Sequence, residues 1–298
     1  MASVQPVVSI IIPTYNEAEN IVPIVDAVLE ATVDVDAEVI VVDDDSPDET
    51  ARIARDAYGG DGRVHVLVRM MNPGLGEAVV DGFTAASGDY CAVIDADFQH
   101  PPSKLQDFID VLDTTTDASD GTRPVDVVIG SRYIEGGGIE GWSRWRRLVS
   151  WGGGLISTLS LPSAWRVSDP MSGFFAVRTS LVQNTRLDPD GYKILLEVLE
   201  RTSPRRVVEV PYVFRERRAG ESKLDAGETI RFVEHASTLS IGDVQAARAD
   251  VVFVAWWFLC GLLFGQPVLA AVGALLVACA RGWDLGRRIA SVDVEVMA

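Results

Sequence analysis

The chain is expected to fold as an α/β protein built on a largely parallel sheet. Two observations predict this. Short apolar runs of strand type recur at residues 7–12, 38–42, 63–68, 90–94 and 125–129, and stretches with apolar residues at helical spacing alternate with them. The charged and polar residues that could do chemistry crowd directly behind these runs. In open α/β sheets that is where ligands bind, outside the carboxyl ends of the strands.

The first run, VVSIII, is read as a buried strand that empties into Pro13, Thr14, Tyr15, Asn16 and Glu17. Ile21, Ile24, Val25, Val28 and Leu29 follow at helical spacing. The second run ends in Asp43, Asp44, Asp45, Ser46, Pro47 and Asp48, where Ser46 or Asp48 is suited to cap the next helix. Behind the third run, Asn72, Pro73, Gly74, Leu75 and Gly76 form a glycine turn opening a helix through Ala85. The fourth run ends in Asp95, Ala96 and Asp97, with Pro101 and Pro102 ahead of a helix from about Ser103 to Leu112. Two carboxylates so spaced suit a hard divalent cation, since Mg²⁺ is usually held by one or two carboxylates plus substrate phosphates. A solvated acidic turn is the plainer alternative, and the surroundings decide between them. Residues 113–124 are polar and acidic, a surface loop, and the fifth run leads to Gly130, Ser131, Arg132 and Tyr133.

The pattern then changes. Residues 135–154 are rich in glycine, tryptophan and arginine, with Trp142, Arg144, Trp145, Arg146, Arg147 and Trp151 close together. This is either a solvated basic turn or an anion site beside an apolar surface, arginine being suited to bidentate grip on phosphate and tryptophan to a membrane interface. A turn at 168–175 feeds a strand through Val177. Gly191, Tyr192 and Lys193 precede a helix through Arg201, with Glu197 one turn from Lys193. Residues 206–214 read as another strand, and 215–223 as a basic loop that either is ordinary surface or closes over a diphosphate. Phe232, Val233, Ala236 and Leu239 make an apolar stripe on a helix over 227–241, facing a membrane surface or a core.

Residues 251–280 contain no charged residue. As one helix they would reach about 45 Å, against about 30 Å of hydrocarbon. Gly265, Gln266 and Pro267 divide them, which fits a helical hairpin better than one tilted helix. Arg281, Arg287 and Arg288 would then share a side with Arg248, in line with the positive-inside tendency.

The formal net charge of -17 argues against a nucleic-acid partner, because phosphate backbones demand Lys and Arg. Lys104, Lys193 and Lys223 are the only lysines among 26 basic residues. Abundant aspartate with scarce lysine resembles the proteins of salt-loving archaea, in which salt screens the repulsion. Cys91, Cys260 and Cys279 have no metal spacing and apolar neighbours, and read as buried free thiols in a reducing compartment. No basic region followed by an apolar core opens the chain. No signal peptide is therefore expected, and the catalytic part is expected to face the cytoplasm.

Taken together, PTYNE at 13–17, DDDSPD at 43–48, GLGEA at 74–78, DADFQHPP at 95–102, GSRY at 130–133, DPMSGFF at 169–175, GYKILLEVLE at 191–200 and VPYVFRERRAGESK at 210–223 resemble a family-2 glycosyltransferase. The resemblance covers about residues 7–239, and the subgroup it matches is the dolichol-phosphate mannosyltransferases, or polyprenyl-phosphate sugar synthases. It implies the GT-A fold, a Rossmann-like nucleotide-diphospho-sugar transferase fold, as a catalytic domain at 1–224. An interfacial helix and linker at 225–250, a membrane hairpin at 251–280 and a cytoplasmic tail at 281–298 would follow. It also implies metal-dependent, inverting transfer of mannose from GDP-mannose to dolichyl phosphate at the cytoplasmic face of a bilayer, with Mg²⁺ or Mn²⁺ as cofactor.

By resemblance, Pro13, Tyr15, Glu17, Val42 and Asp44 form the base and ribose pocket, and Asp95 and Ala96 the nucleotide side. Asp97 and Gln99 correspond to the metal ligands. Arg217 and Lys223 grip the donor; Arg132, Arg146 and Ser150 hold the acceptor phosphate; Asp169 is an acid near the chemistry. A phosphate dianion is already a competent nucleophile, so no strong base is required. His65, His100 and His235 are accordingly given no such role.

Alternatives keep the fold and change the substrates. UDP-glucose as donor would need nearly the same residues. A glycan or lipid hydroxyl as acceptor would need a general base, with Asp169 as the candidate. A non-catalytic scaffold fits poorly with both Asp95 and Asp97 in place, and a dinucleotide oxidoreductase is excluded because no GxGxxG follows the first strand. Oligomeric state is left open.

Overall fold

The computed structural model describes residues 7–116, 123–141, 167–189, 194–218 and 293–297. Their strands are β1 (Val8–Thr14), β2 (Ala37–Asp43), β3 (Val64–Val68), β4 (Tyr90–Val93), β5 (Val127–Ser131), β6 (Gly138–Ile139), β7 (Phe175–Arg178), β8 (Arg206–Pro211), β9 (Val213–Phe214) and β10 (Asp293–Val296). The helices are α1 (Ile21–Ala31), α2 (Thr50–Tyr58), α3 (Leu75–Ala85), α4 (Lys104–Thr116), α5 (Thr179–Gln183) and α6 (Ile194–Thr202). Eight strands form one sheet in the order β10-β8-β5-β7-β4-β1-β2-β3, and β6 pairs with β9 beside it. All pairs are parallel except the two made by β7, which runs antiparallel between β4 and β5.

Both faces of the sheet are covered, which is why the strands read as nearly unbroken apolar runs. Alternation sorts their side chains. Val8, Ile10 and Ile12 of β1 and Val39 and Val41 of β2 pack with α1 and α4, including Ile24, Val28, Phe108 and Ile109. Ile11, Ile40, Cys91 and Val93 point the other way and pack with Phe83 of α3, Val182 of α5 and Val198 of α6. The stripe expected on the first helix is the buried face of α1, at Ile21, Ile24, Val25 and Val28. α3 lies close on β1, since a Cβ added at Gly82 would come within 2.5 Å of the Ile11 side chain.

From β1 the chain steps outward through β2 to β3 and then returns to the other flank of β1 as β4. The crevice between the carboxyl ends of β1 and β4 is therefore the topological switch point, the place where such sheets bind ligands.

The expected architecture is corrected in two respects. No helix among the described residues is long and apolar enough to cross a membrane, and residues 251–280 lie outside them. What the described residues form is a mostly parallel α/β layer, and no membrane hairpin is found among them. The expected localisation, a catalytic domain on the cytoplasmic face of a cell membrane, is not retained either, because its membrane anchor rested on that hairpin. The expected tail also contributes to the sheet. Asp293–Val296 adds β10 beside β8, with Met297 N–H donating to the Glu209 carbonyl at 3.0 Å and Arg206 pairing with Glu295 at 2.9 Å. The interfacial helix, the tryptophan–arginine segment at 142–151 and the Gly191–Tyr192–Lys193 turn lie outside the described residues.

Candidate active site

The loops behind β1 and β2 are knit together. Ser46 Oγ accepts from Asn16 N–H at 3.0 Å, Thr50 Oγ1 from Glu17 N–H at 2.9 Å and Asp48 Oδ2 from Ala18 N–H at 2.9 Å. Asp43 is fully buried and takes the Thr14 hydroxyl at 2.8 Å and the Ser46 hydroxyl at 2.6 Å. Asn16 and Asp45 adopt left-handed φ of 58° and 52°, which these residue types tolerate in tight turns. The result is a rigid rim. Pro13 and Val42 are paired across β1 and β2, Glu17 receives Asn20 Nδ2–H at 2.7 Å, and Tyr15 stands 42% exposed at the mouth.

Asp44 is more committed than the sequence suggests. One of its oxygens is paired with Arg69 and the other accepts Gly74 N–H at 2.8 Å. Arg69 also reaches Asp81 at 2.6 Å and the Asn72 carbonyl at 2.9 Å. It ties the exits of β2 and β3 to the turn that opens α3.

Behind β4, Ala96 is buried at 3% exposure and Asp97 at 4%, while the Asp95 side chain is about one-third exposed at 32%. Asp97 Oδ1 accepts Gln99 N–H at 3.0 Å, and Oδ2 pairs with Arg217 at 2.9 Å. Between them Phe98 has φ of 64°, a strained value for a bulky side chain. Residues 215–218 close the turn. Arg215 N–H donates to the Gln99 carbonyl at 3.0 Å, Gln99 Nε2–H to the Arg215 carbonyl at 3.2 Å and Arg218 N–H to the Asp97 carbonyl at 3.1 Å. The Arg218 guanidinium lies 5.2 Å from the Phe98 ring centre. Burial pushes the Asp97 carboxyl above its ordinary pKa and the Asp95 charge adds to this. The Gln99 N–H, His100 and Arg217 oppose the shift without cancelling it.

His100 sits beneath this turn at 2% exposure, stacked on Phe174 at 5.3 Å and edge-on to Tyr212 and Phe214. Its Nδ1 accepts Asp95 N–H at 3.4 Å, which ties the ring to the turn. A Cβ at Gly173 would come within 3.3 Å of His100 and 3.4 Å of an Asp95 oxygen, so only glycine leaves that space clear.

Across the crevice, behind β5, Arg132 meets Asp169. Asp169 is fully buried and accepts Arg132 N–H at 3.0 Å, Nε–H at 2.7 Å and Nη2–H at 2.7 Å. The guanidinium also lies 5.3 Å from the Tyr133 ring centre and 5.5 Å from that of Phe214. Burial alone would lower the Arg132 pKa; the Asp169 carboxylate more than offsets this and keeps it charged. Glu209 on β8 accepts Ser168 N–H and Asp169 N–H.

The structure thus brings Pro13, Tyr15, Glu17, Val42 and Asp44 to one rim. It joins Asp97 to Arg217, Gln99 to Arg215 and Arg132 to Asp169, with Asp95 on the same turn. Arg146, Ser150 and Lys223 lie outside the described residues. Sequence reasoning missed Arg69, Glu209 and the aromatic seat of His100. Glu209 alone left a trace, as one acid inside the apolar strand VVEV.

The donor set fits a divalent cation. Among the described residues no three His, Cys, Asp or Glu side chains cluster to hold a metal ion. The protein would supply oxygens from Asp97 and Gln99 and leave the remaining positions to a diphosphate and water, as Mg²⁺ sites commonly do. Arg217, a cation already seated on Asp97, marks that carboxylate as a place for positive charge.

Residues 9–185 match the family described as Glycosyl transferase family 2. The chain is 40% identical over 228 residues to a dolichol-phosphate mannosyltransferase of Pyrococcus furiosus, covering 76% of this chain and 62% of that protein's length. It is 35% identical to an undecaprenyl-phosphate mannosyltransferase of Micrococcus luteus, covering 73% and 87%. It is 31% identical to a dolichol-phosphate mannosyltransferase of Saccharomyces cerevisiae, covering 84% and 92%. In fold it is similar to glucosyl-3-phosphoglycerate synthase of Mycobacterium tuberculosis, solved in complex with Mn²⁺, UDP and glucosyl-3-phosphoglycerate. The TM-score is 0.54 at 23% identity, over 78% of each chain. With a crevice at the β1–β4 switch point and the family match over most of the sheet, the chain belongs to glycosyl transferase family 2.

Proposed function

We propose that the protein transfers mannose from GDP-mannose to the phosphate of a polyprenyl phosphate of the dolichyl type, inverting the anomeric carbon. Donor sugar and acceptor class are supported by the mannosyltransferase relatives. The observation that carries the phosphate acceptor is the condition of Asp169. Both its oxygens are engaged by three N–H groups of Arg132 in a fully buried position. A carboxylate so committed is a poor proton acceptor, and a hydroxyl acceptor would need one. A phosphate oxygen needs none. Arg132 has five side-chain N–H groups, and two are on Asp169, so its fork can still bond a phosphate.

In this reading a phosphate oxygen of the acceptor attacks the anomeric carbon, the new C–O bond forms on the face opposite the leaving group, and the nucleoside diphosphate departs with the electron pair. Pro13, Tyr15, Glu17, Val42 and Asp44 hold the base and ribose, with Asp95 and Ala96 on the nucleotide side. Asp97 and Gln99 are the residues that would hold Mg²⁺ or Mn²⁺, which would offset the charge gathering on the leaving diphosphate. Arg217 and Lys223 take the donor phosphates, while Arg132, Arg146 and Ser150 take the acceptor phosphate and lessen its repulsion from the donor. The acidic, lysine-poor composition supports operation at high salt.

The test uses the full chain with dolichyl phosphate and Mg²⁺ or Mn²⁺ at high salt. Labelled GDP-mannose goes to one sample and labelled UDP-glucose to another, beside Asp97→Ala. An alkali-stable labelled lipid from GDP-mannose alone, lost in Asp97→Ala, is expected. Label from UDP-glucose alone would change the donor. No lipid product from either donor with folded protein would overturn the acceptor.

A further inference from the structure

We propose that Glu209 is a positioning residue for the acceptor phosphate, acting on Arg132 through the Ser168–Asp169 turn. The inference rests on the reading that Arg132 holds that phosphate.

Glu209 lies in the middle of β8, at 1% exposure, in a strand whose neighbours Val207, Val208 and Val210 are core residues. A carboxylate buried there is strongly unfavourable unless hydrogen bonds offset its lost hydration. Its side-chain oxygens take Ser168 N–H at 3.1 and 3.0 Å and Asp169 N–H at 3.2 Å. Both donors are backbone groups of one turn, which Ser172 N–H closes onto the Asp169 carbonyl at 3.2 Å. With the turn's two leading amides pinned, the Asp169 side chain leaves the backbone in one direction. It meets the backbone N–H and two side-chain N–H groups of Arg132.

Both ends of the relay are anchored in the sheet. Ile129 of β5 is in register with Glu209 of β8, and Ser131 with Pro211. Arg132 directly follows β5. The guanidinium is thus held on one edge by a carboxylate and over the rings of Tyr133 and Phe214. A fork held this way loses little freedom when a phosphate arrives and presents its remaining N–H groups in a set direction. Glu209 touches neither substrate; its effect is on where Arg132 points.

The test compares the full-length wild type, Glu209→Gln and Arg132→Gln in steady-state transfer from GDP-mannose to dolichyl phosphate, with Tm recorded for each. Glutamine keeps the size of the side chain and one acceptor oxygen, but it removes the charge and sets an N–H against Ser168 N–H where the second oxygen stood. Glu209→Gln is expected to raise the KM for acceptor roughly tenfold with the KM for donor unchanged, in the same direction as Arg132→Gln. A merely structural role would lower Tm and the active fraction and leave both KM values alone. A wild-type acceptor KM in folded Glu209→Gln overturns the relay while a raised value in Arg132→Gln preserves the reading of the site. An unchanged acceptor KM in both, with turnover continuing, overturns the reading and the relay with it. Amide exchange in the wild type keeps the proposal exposed if Glu209→Gln fails to fold. Slow exchange of Ser168 and Asp169 N–H is expected, and exchange at open-loop rates would overturn it.

Discussion

Glu38 and Asp97 are two buried carboxylates at opposite ends of one sheet, and they are treated in opposite ways. Glu38, at the amino end of β2, has one oxygen bonded by the Ser9 hydroxyl at 2.5 Å and by Ser87 N–H and hydroxyl at 2.8 Å each. His65 lies 3.5 Å from the other. Burial pushes the Glu38 pKa up, but these donors bring it below its ordinary value. Asp97, behind the carboxyl end of β4, meets the same desolvation with the Asp95 charge added, and its donors do not compensate. The difference teaches what each is for. A carboxylate saturated by fixed donors holds the fold together. One that stays under-compensated in a crevice even with Arg217 beside it is the condition that the proposed cation seat requires.

The largest effect should come from removing the under-compensated charge. Asp97→Asn is expected to lower transfer by about a thousandfold while its Tm stays at or above the wild-type value in metal-free buffer. A chelator should abolish turnover reversibly in the wild type. An active Asp97→Asn, or one that loses its fold, would break the contrast with Glu38.

The converse is expected at the other end of the sheet. Glu38→Ala strands three donors and should cost about 2 kcal/mol of stability in urea titrations, with kcat/KM unchanged. The folded pKa of Glu38 is depressed, so its stabilisation is complete above the ordinary glutamate value of 4.5 and is lost as the pH falls through the lower folded value. The gap between wild type and Glu38→Ala should therefore be full at neutral pH and shrink in acid, read from denaturation midpoints at constant salt.

The smallest effect concerns Cys91, which faces the core between these two ends. Burial pushes its thiol up to about 12 despite the Thr179 hydroxyl at 3.2 Å. In peptide mapping after alkylation at pH 8, Cys91 should be labelled only once the protein is unfolded. Labelling in the folded state would mean the sheet opens between its two ends.

The strands and helices were legible because their signals are local. The unbroken apolar run VVSIII and the 3.6-residue period of Ile21, Ile24, Val25 and Val28 are carried by near neighbours whatever the rest of the chain does. The shared placement of the expected donor residues was legible for a related reason: Tyr15 and Asp44 directly follow β1 and β2, Asp97 comes shortly after β4, and the carboxyl ends of these parallel strands share one edge. What Asp44 and Asp97 do there was not visible, since Arg69 and Arg217 reach them only through the fold.

By itself the sequence determined the layered α/β architecture, the sheet edge on which the polar and charged loops gather and the oxygen-rich character of the turn behind β4. Each follows from residues close together in the chain. Tertiary structure alone decided that β7 enters antiparallel between β4 and β5, and that residues 293–296 extend the sheet beside β8. It also decided that Asp169 is consumed by Arg132 across a separation of 37 residues, and that Glu209 holds the Ser168 amide across one of 41. Such partners depend on strand order, and strand order is set by which apolar faces bury one another, a balance struck over the whole chain at once.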